Sequence, residues 1–195
     1  MKVISLIAFV LVVGVTKADA QVTRPPSIDT CNYLRPLEGE WVNINGADTI
    51  RIYLRFHRWY YVDPETYNSL KDQLWGWVEY KQGSTVVMSD YANRFATLPY
   101  NLADLTPGLR SIVLTPGKGG NQVVPVGYNG CQNPITELGG GIWDIAKCRT
   151  NKIIIATVNG SGAGAQMTWS VYAVGSETLG CEGTTLPTTF VLTKQ

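Results

Sequence analysis

The chain has 195 residues, with ten prolines, twenty glycines, four cysteines and a single histidine, a size that suits one folded core. Residues 1–20 have the layout of an export signal, and their removal takes two of the sixteen basic and one of the fifteen acidic side chains, leaving fourteen of each. That balance argues against a nucleic-acid partner, which needs uncompensated Lys and Arg, and the lone His57 leaves little for His-based catalysis or a multi-histidine metal site.

In the signal, Lys2 precedes an apolar run from Val3 to Val15, and Ala18-Asp19-Ala20 supplies the small-x-small pattern of a cleavage site. The run is too short for a spanning helix, which needs ~20 residues. The expected product is secreted or periplasmic after cleavage near Ala20, with no membrane span. Residues 21–36, with Pro25-Pro26 and Pro36, read as an extended N-terminal arm, and 37–195 as one domain.

From Trp41 onward, short alternating runs separated by turn residues predict an antiparallel sheet. In Thr49–His57 the residues Ile50, Ile52, Leu54 and Phe56 share one face. Asp63 as N-cap with Pro64 behind it predicts a short helix over Pro64–Leu70, and Leu98–Leu105 is a second short candidate. Gln73–Tyr80 and Thr85–Tyr91 form a hairpin around Lys81-Gln82-Gly83-Ser84. Further strands are expected at Ser111–Leu114, Gln122–Val126, Lys152–Val158, Ala165–Val174 and Thr188–Thr193, with Gly117–Gly141 as a long loop. Eight to ten strands and no long amphipathic helix must bury their apolar face against themselves, as a barrel or a sandwich.

Leu37-Glu38-Gly39-Glu40-Trp41, a Gly-x-Trp leading into the first strand, resembles the lipocalin-like barrels of the calycin group. Asn43-Ile44-Asn45-Gly46 looks like the opening of avidin-type barrels, and Ser89-Asp90-Tyr91 is similar to the Thr-Asp-Tyr signature of lipocalins. The closing Thr189–Lys194 resembles the final strand of small exported bacterial lipocalin-like domains of unknown function. The resemblance implies an antiparallel lipocalin-like β-barrel of about 8–10 strands with one or two short helices. It implies structural roles for Gly39 and Trp41, the latter closing one end, and an interior able to hold a small apolar molecule.

Cys31, Cys131, Cys148 and Cys181 form an even set suited to two disulfides in an oxidising compartment. Their spacing lacks the close pairs of a zinc site. Three pairings are open; Cys131–Cys148 with Cys31–Cys181 would close one local loop and tie the chain's ends together.

Motifs that carry chemistry elsewhere read as structure here. Gly160-Ser161-Gly162-Ala163-Gly164-Ala165 fits a dinucleotide fingerprint, but an alternating strand follows it instead of a helix. It is a hairpin loop, as Gly117-Lys118-Gly119-Gly120 is a turn. Asn159-Gly160-Ser161 matches a glycosylation acceptor. Arg51, Arg55 and Arg58 among Tyr53, Phe56, Trp59, Tyr60 and Tyr61 read as a solvated outer face, and His57 as a surface residue without an orienting acid.

Trp75, Trp77 and Glu79 share one strand face, with Leu74, Val78 and Tyr80 on the other; two indoles suit a ligand-pocket wall or a sugar-stacking platform. The expected function is an exported, non-catalytic binder of a small apolar or aromatic molecule, a glycan or a surface component. Its contacts would be Trp75, Trp77 and Trp169, with Tyr91 and Tyr172, and no metal or cofactor. Two rivals are a carbohydrate-active enzyme or carbohydrate-binding module, using carboxylates among Asp63, Glu65, Asp72, Glu79 and Asp90, and a surface interaction module whose barrel is filled by its own side chains.

Overall fold

A computed structural model describes residues 28–62, 68–101, 104–117, 135–173 and 179–195. Among them are nine strands: β1 (Gly39–Asn45), β2 (Asp48–Val62), β3 (Asn68–Gln82), β4 (Thr85–Ser89), β5 (Ile112–Pro116), β6 (Glu137–Asp144), β7 (Thr150–Asn159), β8 (Gln166–Tyr172) and β9 (Thr189–Lys194). All pair antiparallel in the order β2-β1-β9-β8-β7-β6-β5-β3, and β3 returns to β2, closing an eight-stranded barrel; β4 hangs from the far end of β3. Of the barrel and the sandwich that the alternation allows, the expected antiparallel barrel is the observed architecture.

Side-chain parity explains why it closes. Ile50, Ile52 and Leu54 of β2 stand opposite Tyr80, Val78 and Gly76 of β3, and the same inner layer takes Trp41, Leu74, Ile112, Leu114, Leu138, Ile154, Ala156, Met167, Trp169 and Leu192, all fully buried. Burying a side chain of this kind contributes ~1.5–3 kcal/mol. Gly76 is needed there because a Cβ would lie 2.9 Å from Leu54 Cδ2 and 3.0 Å from Ile112 Cβ.

Strand β6 was hidden in the sequence, since Leu138-Gly139-Gly140-Gly141-Ile142 reads as loop. Its glycines mark close backbone approach: a Cβ on Gly140 would sit 1.9 Å from the Val113 carbonyl oxygen of β5. Gly140→Ala is therefore expected to lose ~1–3 kcal/mol or more by overpacking, measured as a lowered midpoint in urea.

Of the two expected helices, the one over Leu98–Leu105 falls partly on residues 102–103, outside the described ones, with Asp104 in a 3₁₀ turn, and the one over Pro64–Leu70 gives way to a strand. Asn68–Leu70 belongs to β3, because β2 and β3 run on as 15-residue strands; residues 63–67 lie outside the described ones. Further 3₁₀ segments form at Arg35–Leu37 and Tyr91–Phe95. The expected strand Gln122–Val126 also lies outside the described residues, as do the signal segment and the first part of the arm.

The described end of the arm is not extended but closes the barrel. Leu34 and Leu37 join the core, the Trp41 indole N–H donates to the Leu37 carbonyl at 2.9 Å, and the Lys194 ammonium lies 5.9 Å from the Trp41 ring centre while donating to the carbonyls of Pro36 and Ser161. Asp29 and Asp72 tie this segment to the long hairpin: the Asp29 amide donates to Asp72 at 2.8 Å, and Asp72 also takes both donors of an Arg58 fork. At the opposite end the Thr185 amide and hydroxyl donate to Asp144 at 2.6 and 2.8 Å, which folds Leu186 over the opening.

Among the described residues a disulfide joins Cys148 to Cys181. This replaces the expected local bridge from Cys131 to Cys148 and the bridge from Cys31 to Cys181. The β6–β7 turn brings Cys148 to the segment entering β9, with Cα atoms 5.7 Å apart, a nearness that sequence separation does not reveal. Cys31 is also disulfide-bonded, and Cys131 lies outside the described residues.

Ser89-Asp90-Tyr91 ends β4 with a buried lock. The Asp90 amide donates to the Val78 carbonyl, and Asp90 Oδ1 accepts the Val78 amide at 2.8 Å. Burial pushes the Asp90 carboxyl up to about 6 from 3.8. The folded chain therefore holds this proton at pH values where the unfolded chain has lost it, and stability falls as pH rises from about 4 to about 6. Asp90→Asn keeps the acceptor and removes the titration. Relative to the wild type it should gain up to ~3 kcal/mol across that window and nothing further above it, as read from denaturant unfolding at pH 4, 5, 6 and 7.

Candidate functional site

Among the described residues the barrel interior holds a packed layer of apolar side chains, most of them 0–2% exposed. The recess bounded by Met88, Ile142, Asp144, Lys152, Val171 and Leu186 has no volume for a water molecule, so its lining side chains leave no room for a ligand there. Trp169 stands in this layer, stacked on Phe190 with centroids 5.9 Å apart. Its indole N–H has no hydrogen-bond partner among the described residues.

Trp75 and Trp77 point the other way. They lie with Tyr53, Arg55, His57, Trp59 and Gln73 on the outer wall of β2 and β3, yet both are 0% exposed. The β4–β5 connection covers them: Leu98 and Leu105, with Val113 and Tyr53, pack on Trp59, Trp75 and Trp77 as a second core outside the barrel. Polar atoms pin this cover down. Arg55 donates to the carbonyls of Arg94 and Ala96 at 3.0 and 2.9 Å, the Trp77 N–H donates to the Leu109 carbonyl at 2.7 Å, and His57 Nε2 bonds the Pro99 carbonyl at 2.9 Å. Arg55 and His57 are therefore not on a solvated face. The His57 ring packs 4.1 Å from Trp75, and burial holds its pKa below the usual value.

The five expected contact residues do not converge. Trp75 and Trp77 are covered on the outer wall, Trp169 is inside, Tyr91 donates its hydroxyl to Glu40 at 2.9 Å, and Tyr172 is half exposed on the outside of β8. Burial, then Glu40, raises the Tyr91 hydroxyl to about 12. The carboxylates likewise have separate structural duties: Asp72 with Arg58, Glu79 with Arg51 and Lys81, and Asp90 with Val78. Asp63 and Glu65 lie outside the described residues.

Where the outer core ends, a cavity of about 230 Å³ opens between Leu105, Thr106, Pro107, Gly108, Arg110, Trp143, Ile145 and Arg149. Its lip is the turn Thr106-Pro107-Gly108-Leu109, closed by the Leu109 amide on the Thr106 carbonyl. Pro at the second position and Gly108 at φ +84° at the third suit a type II turn. The absence of a Cβ on Gly108 also makes room for Arg149, whose Nη1 would be only 3.0 Å away. Opposite, the β6–β7 turn holds Cys148 and Arg149 both at φ +55°, a conformation that costs non-glycine residues energy and persists only where surroundings impose it. Here the Cys148–Cys181 bridge imposes it, together with Asp144, which accepts the Lys147 amide.

Arg110 lies at the back. Its guanidinium carbon is 4.0 Å from the Trp75 ring centre and 5.1 Å from that of Trp143. Nε is buried without a hydrogen-bond partner among the described residues, and burial pulls the group down to about 10. Trp75 thus reaches the cavity indirectly, by positioning Arg110. Arg110, Trp143 and Arg149 come from three separate segments, and the sequence signals their union only through Cys148, whose partner Cys181 is 33 residues away.

A second recess of about 260 Å³ lies at the barrel mouth, among Asn43, Asn45, Asp48, Ile50, Tyr80 and Phe190. Its rim is the polar β1–β2 turn, whereas the wall cavity is mostly apolar with a few convergent polar groups, the usual make-up of a ligand site. The sequence matches no family model, no curated protein and no solved structure.

Proposed function

We propose that the chain is an exported, non-catalytic binding protein of lipocalin-like kind that takes a small apolar or aromatic molecule in the cavity on its outer wall, beside Trp143, and not in the barrel lumen. One observation carries this reading: the lumen is occupied by the protein's own side chains, while an apolar cavity with an aromatic wall stands open outside it. At about 230 Å³ it falls short of the ~300–1,000 Å³ of drug-sized sites. It therefore suits a single ring or a short chain, or one such part of a larger molecule. Export is supported by the signal-like N-terminus and by the disulfide, which fits an oxidising compartment.

Thermal-shift screening with small aromatic and aliphatic compounds tests the reading, because a ligand that binds only the folded state raises the melting temperature by mass action. Compounds with a single ring should raise it in the wild type and fail to do so in Trp143→Ala. A shift retained in Trp143→Ala, or no shift across the panel, contradicts the proposal.

The filled lumen also supports a second reading, a surface interaction module. Phe95 and Tyr100 are then its natural contacts, being 68% and 58% exposed. That module would give no small-molecule shift at all.

A further inference from the structure

We infer that the ligand carries a carboxylate, held by the guanidinium groups of Arg110 and Arg149 while its apolar part lies against Trp143 and Leu105. The inference rests on the wall cavity being the binding site, and it adds the class of molecule bound there.

Both arginines line the cavity, and the salt bridges among the described residues involve neither: Arg51, Arg58 and Lys81 take the acids Glu40, Glu79 and Asp72. A guanidinium held between two indoles, with Nε buried and without an acceptor among the described residues, is an expensive arrangement. An anion entering the cavity would offset that cost, and a planar carboxylate matches the guanidinium fork in a way a spherical ion does not.

Arg149 is aimed by special backbone. Its own φ of +55°, the same value at Cys148, and the side-chain-free Gly108 beneath its guanidinium all serve to set that head over the cavity. A surface arginine of no consequence would need none of this. The remaining wall is apolar and offers no hydroxyl or amide side chain beyond Thr106, so a sugar would leave most of its hydroxyls unpaired. A single-ring carboxylate meets both halves of the site.

The test uses the full mature chain and isothermal titration with two probes of equal shape, benzoate and benzamide, on the wild type and on Arg149→Gln, Arg149→Lys, Arg110→Gln and Trp143→Ala. Benzoate should bind at least tenfold more tightly than benzamide. Arg149→Gln should erase about tenfold of that difference, as expected for loss of a charged hydrogen bond. Arg149→Lys should restore part of it, and benzamide affinity should change little in either variant. Trp143→Ala should weaken both probes.

Arg149 is exposed, so its variants keep the fold. Arg110→Gln is read beside its melting temperature, and the Arg149 pair decides the matter if that variant unfolds. Equal affinity for the two probes, both lost in Trp143→Ala, overturns the carboxylate inference and leaves the cavity as the site. Benzoate binding indifferent to Arg149 also overturns the inference. Binding of neither probe overturns the inference together with the reading it rests on.

Discussion

Trp75→Ala is expected to lower stability by ~3–5 kcal/mol, the usual cost of deleting a fully buried large aromatic side chain. For a chain of this size that amounts to a fall in melting temperature of roughly 10 °C or more. The indole is 0% exposed and touches three neighbours that depend on it: His57 at 4.1 Å, Trp59 at 6.3 Å and the Arg110 guanidinium at 4.0 Å. Its N–H also shares the Gln73 carbonyl oxygen with Trp59. The loss should come with weakened binding in the wall cavity, since Arg110 would lose its support. Calorimetry and titration on one sample separate the alternatives. Lost binding at an unchanged melting temperature would instead make Trp75 a direct ligand contact.

The second large effect concerns the bridge. Cys148 and Cys181 are 33 residues apart, and a loop of that length corresponds to ~3–4 kcal/mol through the unfolded state. A Cys148→Ala/Cys181→Ala double variant should lose that much in guanidinium unfolding. It should also lose carboxylate binding beyond what the stability change explains, because the left-handed backbone at Cys148 and Arg149 would relax. A stable variant that binds like the wild type would separate the bridge from the site. The same comparison under reducing agent checks that the effect belongs to the disulfide and not to the alanines.

How much of this was legible in the residues differs from strand to strand. Ile50, Ile52, Leu54 and Phe56 alternate against polar neighbours, so β2 could be read with its inner face assigned. Strand β3 is different, since Leu74, Val78 and Tyr80 on one side and Trp75 and Trp77 on the other are all buried. A strand apolar on both faces signals cover on both sides. Taking the tryptophans as a ligand wall overlooked the second cover, which comes from a connection with little regular structure of its own.

Strand β6 is hidden for the opposite reason: its three consecutive glycines look like a loop, although Gly140 serves close packing on β5 and Gly141 faces Asn151 of β7. The candidate site was the least legible part. Gly108, Arg110, Trp143 and Arg149 share no spacing or motif, and only the closed barrel and the Cys148–Cys181 bridge bring them together.

The central claim is that this barrel binds outside itself. The direct measurement is backbone amide chemical-shift mapping of the ¹⁵N-labelled mature protein during titration with benzoate. The account predicts saturable shifts confined to Leu105–Arg110 and Trp143–Arg149, with inner residues such as Ala156, Met167 and Trp169 unmoved. Shifts centred on those inner residues, with the outer turns silent, would contradict it.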